Sequence, residues 1–431
     1  MVKLVDTKDL KSLPFWECQF ESGRGHQKNK FIMSAKNVLF IFKDRKSVTL
    51  NNDFWSEKFK SKYRVTQFFI NDFLYLSNKK IINEINKIIS LNNIEIVLFE
   101  GDHAHIIDYN FINSIENKTK KGIFLGDDMV WHNLNAISAQ SCDFVFSSCP
   151  ISAYKFQEIG TNSFFVPIES DGKILKDYKL EKKYDVLHFG REKTIRSNYI
   201  DYLKKNNIKV KSVSPYDDEA NTFEKLAKLI NQAKIVLNFS ESANGTRKFN
   251  QLRIFKSFYQ LKGRIQMAGL ANSLCISQHS PSAELMYENN ELPIFHSKEE
   301  CLEKVKSYLN DSNLLKAATE KFHKKSLEYE DSRYIEKISN FLEKIKIKEK
   351  NLFTTPRWYN QIFINQSMRL RFKSLLIKAF ILEFIFCLID IKNKNLFTKL
   401  HQILTSIIIF VRYFPFLIIK LVLRIFKNEK D

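Results

Sequence analysis

Several features that would define a class of protein are missing from this sequence. The six cysteines form no Cys-x-x-Cys pair, so neither a zinc site nor a disulfide framework is indicated, and a reducing compartment is expected. The first residues, MVKLVDTKDL, contain no apolar run, so no secretory signal is predicted. No RNP motif, zinc finger or basic-region heptad is present, which argues against nucleic acid as a partner. Glycine is also scarce, at 11 residues beside 38 phenylalanines, a bias that genome composition alone can produce.

Acidic residues are in short supply relative to basic ones. The 431 residues include 68 Lys and Arg against 48 Asp and Glu, a formal charge of +20. An excess of this size calls for an anionic partner. The length predicts two or three domains of roughly 100–200 residues each. A content of 44% hydrophobic and 27% charged residues indicates a globular chain and not a disordered one.

The excess positive charge is concentrated at the C-terminus. Residues 355–431 hold thirteen Lys and Arg against four Asp and Glu, a net +9, together with the longest Phe- and Ile-rich runs of the chain. The longest stretch there without a charged residue is Leu400–Val411, twelve residues, whereas a spanning helix needs about 20. Cations recur near one helical face, as in an amphipathic helix: Arg412, Lys420, Arg424 and Lys427.

Three interpretations of this tail remain open. An amphipathic helical extension lying on an anionic membrane surface explains both the apolar residues and the cations. Helices packed on the body of the protein would explain the apolar residues alone. A transmembrane span would place Arg412 near its centre, at a cost of roughly 2.5–3.5 kcal/mol. The membrane surface is favoured, and it predicts a peripheral protein on the cytoplasmic side of a membrane.

Short apolar runs alternate with helical patterns through residues 37–170. Four runs have the length of a strand: Val38–Phe42, Ile94–Phe99, Gly122–Leu125 and Phe144–Ser147. Helical patterns lie between and after them, near residues 80–90, 107–117, 132–140 and 150–159. Buried strands that alternate with helices indicate a parallel α/β sheet.

The same alternation begins again after a polar, lysine-rich stretch from Glu169 to Lys183. Strands are predicted at Tyr184–Phe189, Ile208–Val213, Lys234–Phe239 and Leu274–Ile276. Helices are predicted near residues 195–205, 222–233, 297–309, 312–326 and 330–346. The sequence therefore predicts an α/β domain over residues 1–170, a second over 184–346, and the basic helical tail over 355–431. In such doubly wound folds, ligands bind at the carboxyl ends of strands.

The most informative motif of the second half directly follows a predicted strand. It is His188-Phe189-Gly190-Arg191, with Arg196 in the next predicted helix. A glycine lets the backbone approach a phosphate, and an arginine fork matches the phosphate oxygens. The motif therefore predicts a phosphate site, and an ordinary strand-to-helix turn is the alternative.

A longer pattern runs through the rest of this half. Its elements are Lys262-Gly263-Arg264, Ser280-Pro281, Glu284-Leu285 and Ser297-Lys298-Glu299-Glu300. Over residues 184–346 the chain resembles the spore-coat (CgeB-like) branch of the glycosyltransferases, which have the GT-B fold of two facing Rossmann-like domains. The likeness is looser over residues 94–170.

The resemblance implies transfer of a sugar from a nucleotide-sugar donor on the second domain to an acceptor on the first. Gly190 and Arg191 of the preceding motif are expected at the donor as well. The resemblance itself implies donor contacts for Arg196, Lys262 and Arg264. Their cations would stabilise the leaving diphosphate electrostatically, in place of a metal ion. The absence of an Asp-x-Asp motif agrees with this, so no metal and no other cofactor is expected. A solvated basic loop is the alternative role for Lys262 and Arg264.

One position departs from the family pattern. Three residues after Arg264 the family has a glutamate that binds the donor ribose, whereas this chain has Met267, preceded by Gln266. Either Gln266 or Glu284 would then take over that contact. The departure also leaves a second function open, namely a non-catalytic, membrane-bound GT-B-like protein that binds glycans or acts as a scaffold.

The catalytic base is expected in the N-terminal domain. Asp102 and His103 follow a predicted strand, and a carboxylate beside an imidazole suits removal of a proton from an acceptor hydroxyl. Asp127 and Asp128 follow the next strand and are a second candidate. Helix capping is the alternative role for these aspartates. Residues 22–26, SGRGH, have the residue types of a phosphate loop, but they precede the first strand, so a surface loop is favoured.

The sequence thus predicts a glycosyltransferase at the inner face of a membrane. Its partners would be a nucleotide sugar, a lipid-linked or cell-envelope glycan acceptor and the anionic membrane surface.

Overall fold

The structure is a computed structural model of the chain. It describes residues 36–44, 53–101, 106–126, 128–168, 170–192, 195–214, 217–241, 259–349 and 353–373, with single residues and pairs between 400 and 415. Four of the predicted features lie outside the described residues: the SGRGH segment, the pair Asp102 and His103, Asp127, and the tail cations Arg412, Lys420, Arg424 and Lys427.

The N-terminal half forms a six-stranded sheet in the order β2-β1-β3-β4-β5-β6. Its strands are β1 (Asn37–Phe42), β2 (Arg64–Phe69), β3 (Ile96–Gly101), β4 (Lys120–Leu125), β5 (Phe144–Ser147) and β6 (Ser163–Phe165). The helices are α1 (Asp53–Phe59), α2 (Asn78–Leu91), α3 (Tyr109–Asn113), α4 (Asp128–Ala139) and α5 (Pro150–Glu158). The pairings among β2, β1, β3 and β4 are parallel, and the central strands are apolar and buried, as expected for a sheet covered on both faces.

The second half forms a five-stranded sheet in the order β11-β10-β9-β7-β8, with every pairing parallel. Its strands are β7 (Tyr184–Phe189), β8 (Val210–Val213), β9 (Ala233–Asn238), β10 (Leu274–Gln278) and β11 (Ile294–Phe295). The helices are α6 (Ile195–Lys205), α7 (Phe223–Asn231), α8 (Gly263–Leu270), α9 (Pro281–Met286), α10 (Lys298–Asn310), α11 (Ser312–Ser326) and α12 (Asp331–Lys344). Two parallel sheets with flanking helices confirm the predicted α/β class.

The differences from the predicted elements have local causes. Strand β2 was not predicted because it lies at the edge of its sheet and is only partly buried, so its sequence, RVTQFF, lacks a continuous apolar run. The helix expected over residues 107–117 is shorter, since Asp108 caps it at one end and it stops at Asn113. Helix α8 was not predicted, and it carries Arg264.

By their contacts, the described residues divide into two compact units. One unit takes those within 35–125, 131–145 and 345–431, and the other takes those within 126–130 and 146–344. The last described helix, α13 (Arg357–Lys373), belongs to the first of these units.

Helix α13 is attached to its unit by buried polar contacts. The hydroxyl of Tyr359, which is fully buried, accepts a hydrogen bond from the Tyr109 amide (2.8 Å) and lies 2.6 Å from the Ser138 hydroxyl. At the other end, Nη2 of the fully buried Arg371 donates to the Leu76 carbonyl (2.8 Å) and the Asn78 side chain (2.9 Å).

The segment before α13 is joined to the same unit through Asp143. Its carboxylate accepts hydrogen bonds from the backbone amides of Lys121 and Lys348, both at 2.6 Å. Residues 345–349 and 353–373 are therefore an integral part of the first unit. Among the described helices, none combines the length and the apolar character needed to cross a membrane.

Candidate functional site

The predicted phosphate motif lies at the topological switch point of the second sheet. The chain leaves β7 toward β8 on one side and returns to β9 on the other. The carboxyl ends of β7 and β9 are therefore adjacent, and they carry His188 to Gly190 and Asn238 to Glu241 respectively. Ligands of doubly wound sheets bind in the crevice at such a point.

Gly190 occupies a backbone conformation that favours glycine. Its φ is +127°, and its amide donates to the Val213 carbonyl of β8 (2.9 Å). A Cβ atom at this position would lie 2.4 Å from Nη2 of Arg264. The glycine therefore leaves the space that the guanidinium of Arg264 occupies.

Arg264 lies in the first turn of α8 and reaches toward the end of β9. Its Nη1 is 3.4 Å from the Asn238 side-chain oxygen and 3.5 Å from the Phe239 carbonyl, and its Cζ is 5.8 Å from the centre of the Phe189 ring. The Asn238 amide is itself oriented by a 2.8 Å bond to the Ser277 hydroxyl. The bonds of Arg264 to β9 are long and hence weak.

Arg196 is buried and joins the loops that follow β7 and β9. Its Nη1 donates to the Arg191 carbonyl and its Nη2 to the Glu241 carbonyl, both at 3.0 Å. Burial, and then repulsion from Arg264, lower the pKa of Arg196 to about 10, so the group stays protonated at neutral pH. An anion bound beside both guanidiniums would relieve that repulsion, and the arrangement therefore fits a phosphate or diphosphate.

His188 adds an uncharged ring to this site. It is fully buried, its Nδ1 lies 3.2 Å from the Ser212 hydroxyl, and its ring contacts Phe239 edge to face. Burial, followed by the charges of Arg264 and Arg196, lowers the pKa of His188 to about 3. The histidine is therefore neutral at physiological pH.

The remaining predicted cations lie at the border of the site. Arg191 is exposed on the loop after β7, and its carbonyl binds Arg196 as described. Lys262 is half-buried at the N-terminus of α8, and its ammonium donates to the Gln260 side chain.

Gln266 and Met267 face the interior of the second unit. The Gln266 amide nitrogen donates to the Ser326 carbonyl, and its oxygen accepts from the Tyr287 hydroxyl, both at 2.8 Å. Met267 is buried as well. A contact between Gln266 and a donor ribose stays a prediction, and it would require both of these hydrogen bonds to break.

Glu284 is the carboxylate that the structure offers at the end of β10. Its Oε1 lies 2.5 Å from Nδ1 of His279 and 3.3 Å from the Ser280 amide. The hydrogen bond with Glu284 raises the pKa of His279 above its ordinary value. Burial opposes ionisation of Glu284, but the hydrogen bond and the charge of His279 still hold its pKa below the ordinary range. The pair is therefore an ionised carboxylate beside a histidine that protonates readily.

Asp128 lies in the same compact unit as the arginines. It is buried at the start of α4. The next residue, Met129, accepts a hydrogen bond at Sδ from the Ser282 hydroxyl of α9 (3.7 Å), and Cys149 lies 3.1 Å from the same hydroxyl. The structure therefore brings the Asp128 segment to the short helix that carries Glu284.

Sequence reasoning missed two carboxyl groups of the first unit. Glu100 accepts a hydrogen bond from the Lys43 amide (2.9 Å), which joins the carboxyl ends of β3 and β1. Asp108 caps α3 by accepting from the Phe111 amide (2.7 Å), yet burial raises its pKa to about 6. Both had a visible signal, because Glu100 lies near the end of β3 and Asp108 follows that strand by seven residues. The capping role of Asp108, however, gives no indication that its carboxyl group is buried.

The described residues contain no group of three or more His, Cys, Asp or Glu that could hold a metal ion. The described cysteines are free and buried: Cys142, Cys149, Cys275 and Cys301.

Comparison with known families gives one match. Residues 193–337, about a third of the chain, match a family model described as glycosyl transferase-like. No curated protein matches the chain. The matched range contains Arg196, Arg264 and Glu284, but it begins just after Gly190.

Several solved structures align with this chain. Sucrose-phosphate synthase of Thermosynechococcus elongatus aligns with 72% of this chain and 99% of its own, at 7% identity and a TM-score of 0.50. Anabaena HepE in complex with UDP and glucose aligns with 72% of this chain and all of its own, at 10% identity and a TM-score of 0.48. TarM of S. aureus, in a complex that includes UDP, aligns with 57% of this chain and 55% of its own, at 14% identity and a TM-score of 0.41.

The protein therefore has the GT-B fold, and its second domain is glycosyltransferase-like. The family match supports a GT-B glycosyltransferase family, and the CgeB-like branch stays a prediction.

Proposed function

We propose that the protein transfers a sugar from a nucleotide-sugar donor, whose diphosphate binds between Arg264 and Arg196. The observation that carries the proposal is the pair of guanidiniums at the switch point: Arg196 joins the loops that follow β7 and β9, and Arg264 reaches the end of β9. The backbone conformation of Gly190 supports it, because it makes room for Arg264. The glycosyl transferase-like match over residues 193–337 supports it independently.

The chemistry follows from where charge develops. A hydroxyl oxygen of the acceptor bonds to the anomeric carbon of the donor sugar while the bond from that carbon to the diphosphate oxygen breaks. The nucleoside diphosphate leaves with the electron pair, and the two arginines stabilise the negative charge that it gains. These fixed cations do the work that a metal ion does elsewhere, so the reaction is proposed to be metal-independent.

The proton of the acceptor hydroxyl needs a base. Asp128 is the proposed base among the described residues, since it is buried in the unit that holds the arginines and adjoins α9. Asp102 and His103 stay predictions for the same role. Glu284 is proposed to bind the donor ribose, because the alternative, Gln266, has both amide atoms in internal hydrogen bonds.

The proposed acceptor is a lipid-linked or cell-envelope glycan, reached from the cytoplasmic surface of a membrane. The tail supports this location. Five of its apolar residues recur with the period of one helix face and are each at least half exposed: Leu400, Leu404, Ile407, Ile408 and Val411. Residues 374–431 also carry nine Lys and Arg against four Asp and Glu. An exposed apolar face beside cations suits a surface of anionic lipid.

Donor binding tests the proposed activity. Calorimetric titration of the full chain with UDP-, GDP- and CMP-sugars should identify a donor, and the Arg264→Ala variant should bind it at least tenfold more weakly, since a charge-assisted pair is worth about 1.5–3 kcal/mol. Arg333→Ala is the matched control, because Arg333 is an exposed arginine of the same unit. Equal affinity of both variants for the donor would refute the assignment of Arg264.

A second function is favoured by one specific observation. The position at which the family binds ribose is Met267, and its side chain is buried in the interior. A non-catalytic GT-B-like protein that binds a glycan or acts as a scaffold would tolerate this change. Failure of every nucleotide sugar in the panel to bind would support that function instead.

A further inference from the structure

We infer that His188 accepts a hydrogen bond from a hydroxyl group of the bound nucleotide sugar, through an unprotonated Nε2. The inference rests on the proposed function, because it names a further contact in the same site. It concerns a residue that determines which ligand groups bind beside the arginines.

The position of the proton on His188 follows from its neighbours. The Ser212 hydroxyl donates its single hydrogen to Oε2 of Glu192 at 2.7 Å. The same hydroxyl oxygen lies 3.2 Å from Nδ1 of His188, and with its own hydrogen already donated it can only accept there. Nδ1 therefore carries the proton. In a neutral imidazole, Nε2 is then a bare hydrogen-bond acceptor.

The surroundings keep the ring neutral. His188 is fully buried, and the guanidiniums of Arg264 and Arg196 oppose a further positive charge on the imidazole. Glu192 lies on the far side of Ser212, where it holds the hydroxyl in the orientation that makes it an acceptor. The three residues Glu192, Ser212 and His188 therefore form a short chain of hydrogen bonds that ends in a lone pair.

That lone pair has no partner within the described part of the chain. Nε2 of His188 is buried and makes no hydrogen bond. The nearest cations do not satisfy it, since both Nη atoms of Arg196 donate to backbone carbonyls and Nη1 of Arg264 points to Asn238 and Phe239. Buried acceptors without a partner are rare in native structures, so a ligand group is expected to supply the missing donor.

The chemistry of a nucleotide sugar decides which group that is. At neutral pH the diphosphate oxygens only accept hydrogen bonds, so they pair with the arginines and not with Nε2. The diphosphate joins the ribose to the sugar, so the hydroxyl groups of these two rings are the donors next to the phosphate, whereas the N–H groups of the base lie beyond the ribose. A neutral acceptor next to two cations therefore binds a hydroxyl while the cations bind the phosphate.

The first experiment determines the tautomer without any ligand. The full chain is labelled with ¹⁵N-histidine, and His188 is assigned by comparison with the His188→Gln variant. We expect a protonated Nδ1 and an unprotonated Nε2, both unchanged between about pH 5 and 8. A proton on Nε2, or titration within this range, would overturn the inference.

The second experiment identifies the hydroxyl. The affinities of wild-type protein and of His188→Leu are measured for UDP-glucose and GDP-glucose, and for analogues of each that lack a single ribose or glucose hydroxyl. In wild-type protein one analogue should bind about two- to tenfold more weakly than its parent. In His188→Leu the same analogue and its parent should bind equally. Tyr199→Phe is the control, because Tyr199 packs on the same Phe239 ring as His188.

A second variant covers the case in which His188→Leu does not fold. Ser212→Ala removes the acceptor for Nδ1 and leaves the ring intact, so the proton can move to Nε2 and the penalty for the missing hydroxyl should shrink.

Failure of the proposed function and failure of this inference give different results. If wild-type protein binds no member of the UDP-, GDP- and CMP-sugar panel, the proposed function fails and the inference fails with it. If it binds a donor of that panel other than these two parents, the analogues are made from that donor. If it binds a parent but every analogue shows the same penalty in wild-type and variant proteins, only the inference fails.

Discussion

Replacing Gly190 with alanine should weaken both the fold and the anion site, by two separable effects. The first is backbone strain, because φ is +127° at this residue. A non-glycine residue in such a conformation costs about 1–3 kcal/mol of the free energy of unfolding. The second is displacement of Arg264, because the new Cβ would lie 2.4 Å from its Nη2 and 3.1 Å from its Cζ.

The displacement has a predictable consequence for binding. The end of an arginine side chain is flexible, so the contact is relieved by moving the guanidinium away from Asn238 and Phe239, to which it is held by long bonds. If Arg264 then no longer reaches the diphosphate, a charge-assisted interaction of about 1.5–3 kcal/mol is lost. This corresponds to roughly a tenfold to hundredfold rise in the Kd for UDP.

Gly160 provides the control for the backbone effect. Its φ is +74°, but a Cβ there would meet no atom within 4 Å. Gly160→Ala should therefore lower the free energy of unfolding by about 1–3 kcal/mol and leave UDP binding unchanged. The comparison of the two variants isolates the effect on Arg264.

The measurements are urea denaturation for stability and calorimetric titration with UDP for binding, on both glycine variants. In an Arg264→Ala background, Gly190→Ala should cause no further loss of affinity, because the group that it displaces is already absent. The reasoning is refuted if Gly190→Ala is destabilised and yet binds UDP as tightly as wild-type protein.

Three further predictions concern other parts of the molecule. Arg371→Met should lower the free energy of unfolding in urea by about 1–3 kcal/mol, since it removes the buried guanidinium that donates to the Leu76 carbonyl. An unchanged midpoint would contradict the packing of α13. The stabilisation by the His279–Glu284 pair should be complete below the ordinary pKa of histidine and should be lost as the pH rises through the raised pKa of His279. The melting temperature of wild-type protein should therefore fall across about pH 5–8 through this pair, and Glu284→Gln should lack that contribution. A chain that ends at Lys373 keeps α13 and should remain folded, but it should no longer sediment with anionic liposomes. Sedimentation equal to that of the full chain would exclude the tail as the membrane contact.

The choice of Lys373 as the truncation point depends on tertiary packing, which the sequence does not show. The tail appeared uniform from residue 355 onward because charge and apolar residues are interspersed throughout. Tyr359 and Arg371, however, form buried hydrogen bonds with residues far away in the chain. Their partners cannot be inferred from local periodicity, so only the structure separates an integral helix from the residues that follow it.

The site shows a similar division. The strands that precede Gly190 and Glu284 were predictable, because a buried strand is marked by a continuous apolar run. The orientation of Gln266 was not predicted because helix α8 was not recognised. Residues two apart in a helix, such as Arg264 and Gln266, lie roughly 200° apart around its axis. Gln266 therefore points away from the side of α8 on which Arg264 meets β9.

The sequence alone determined the α/β class, the restart of the pattern after residue 183, the resemblance to glycosyltransferases and the basic character of the tail. These properties are local, because apolar periodicity and charge are written in consecutive residues. Only the tertiary structure decided that two arginines from different helices meet at one switch point, and that His188 is neutral with an unpaired nitrogen. Such properties depend on distances between residues as far apart as His188 and Arg264, and on burial, which no single segment of the chain encodes.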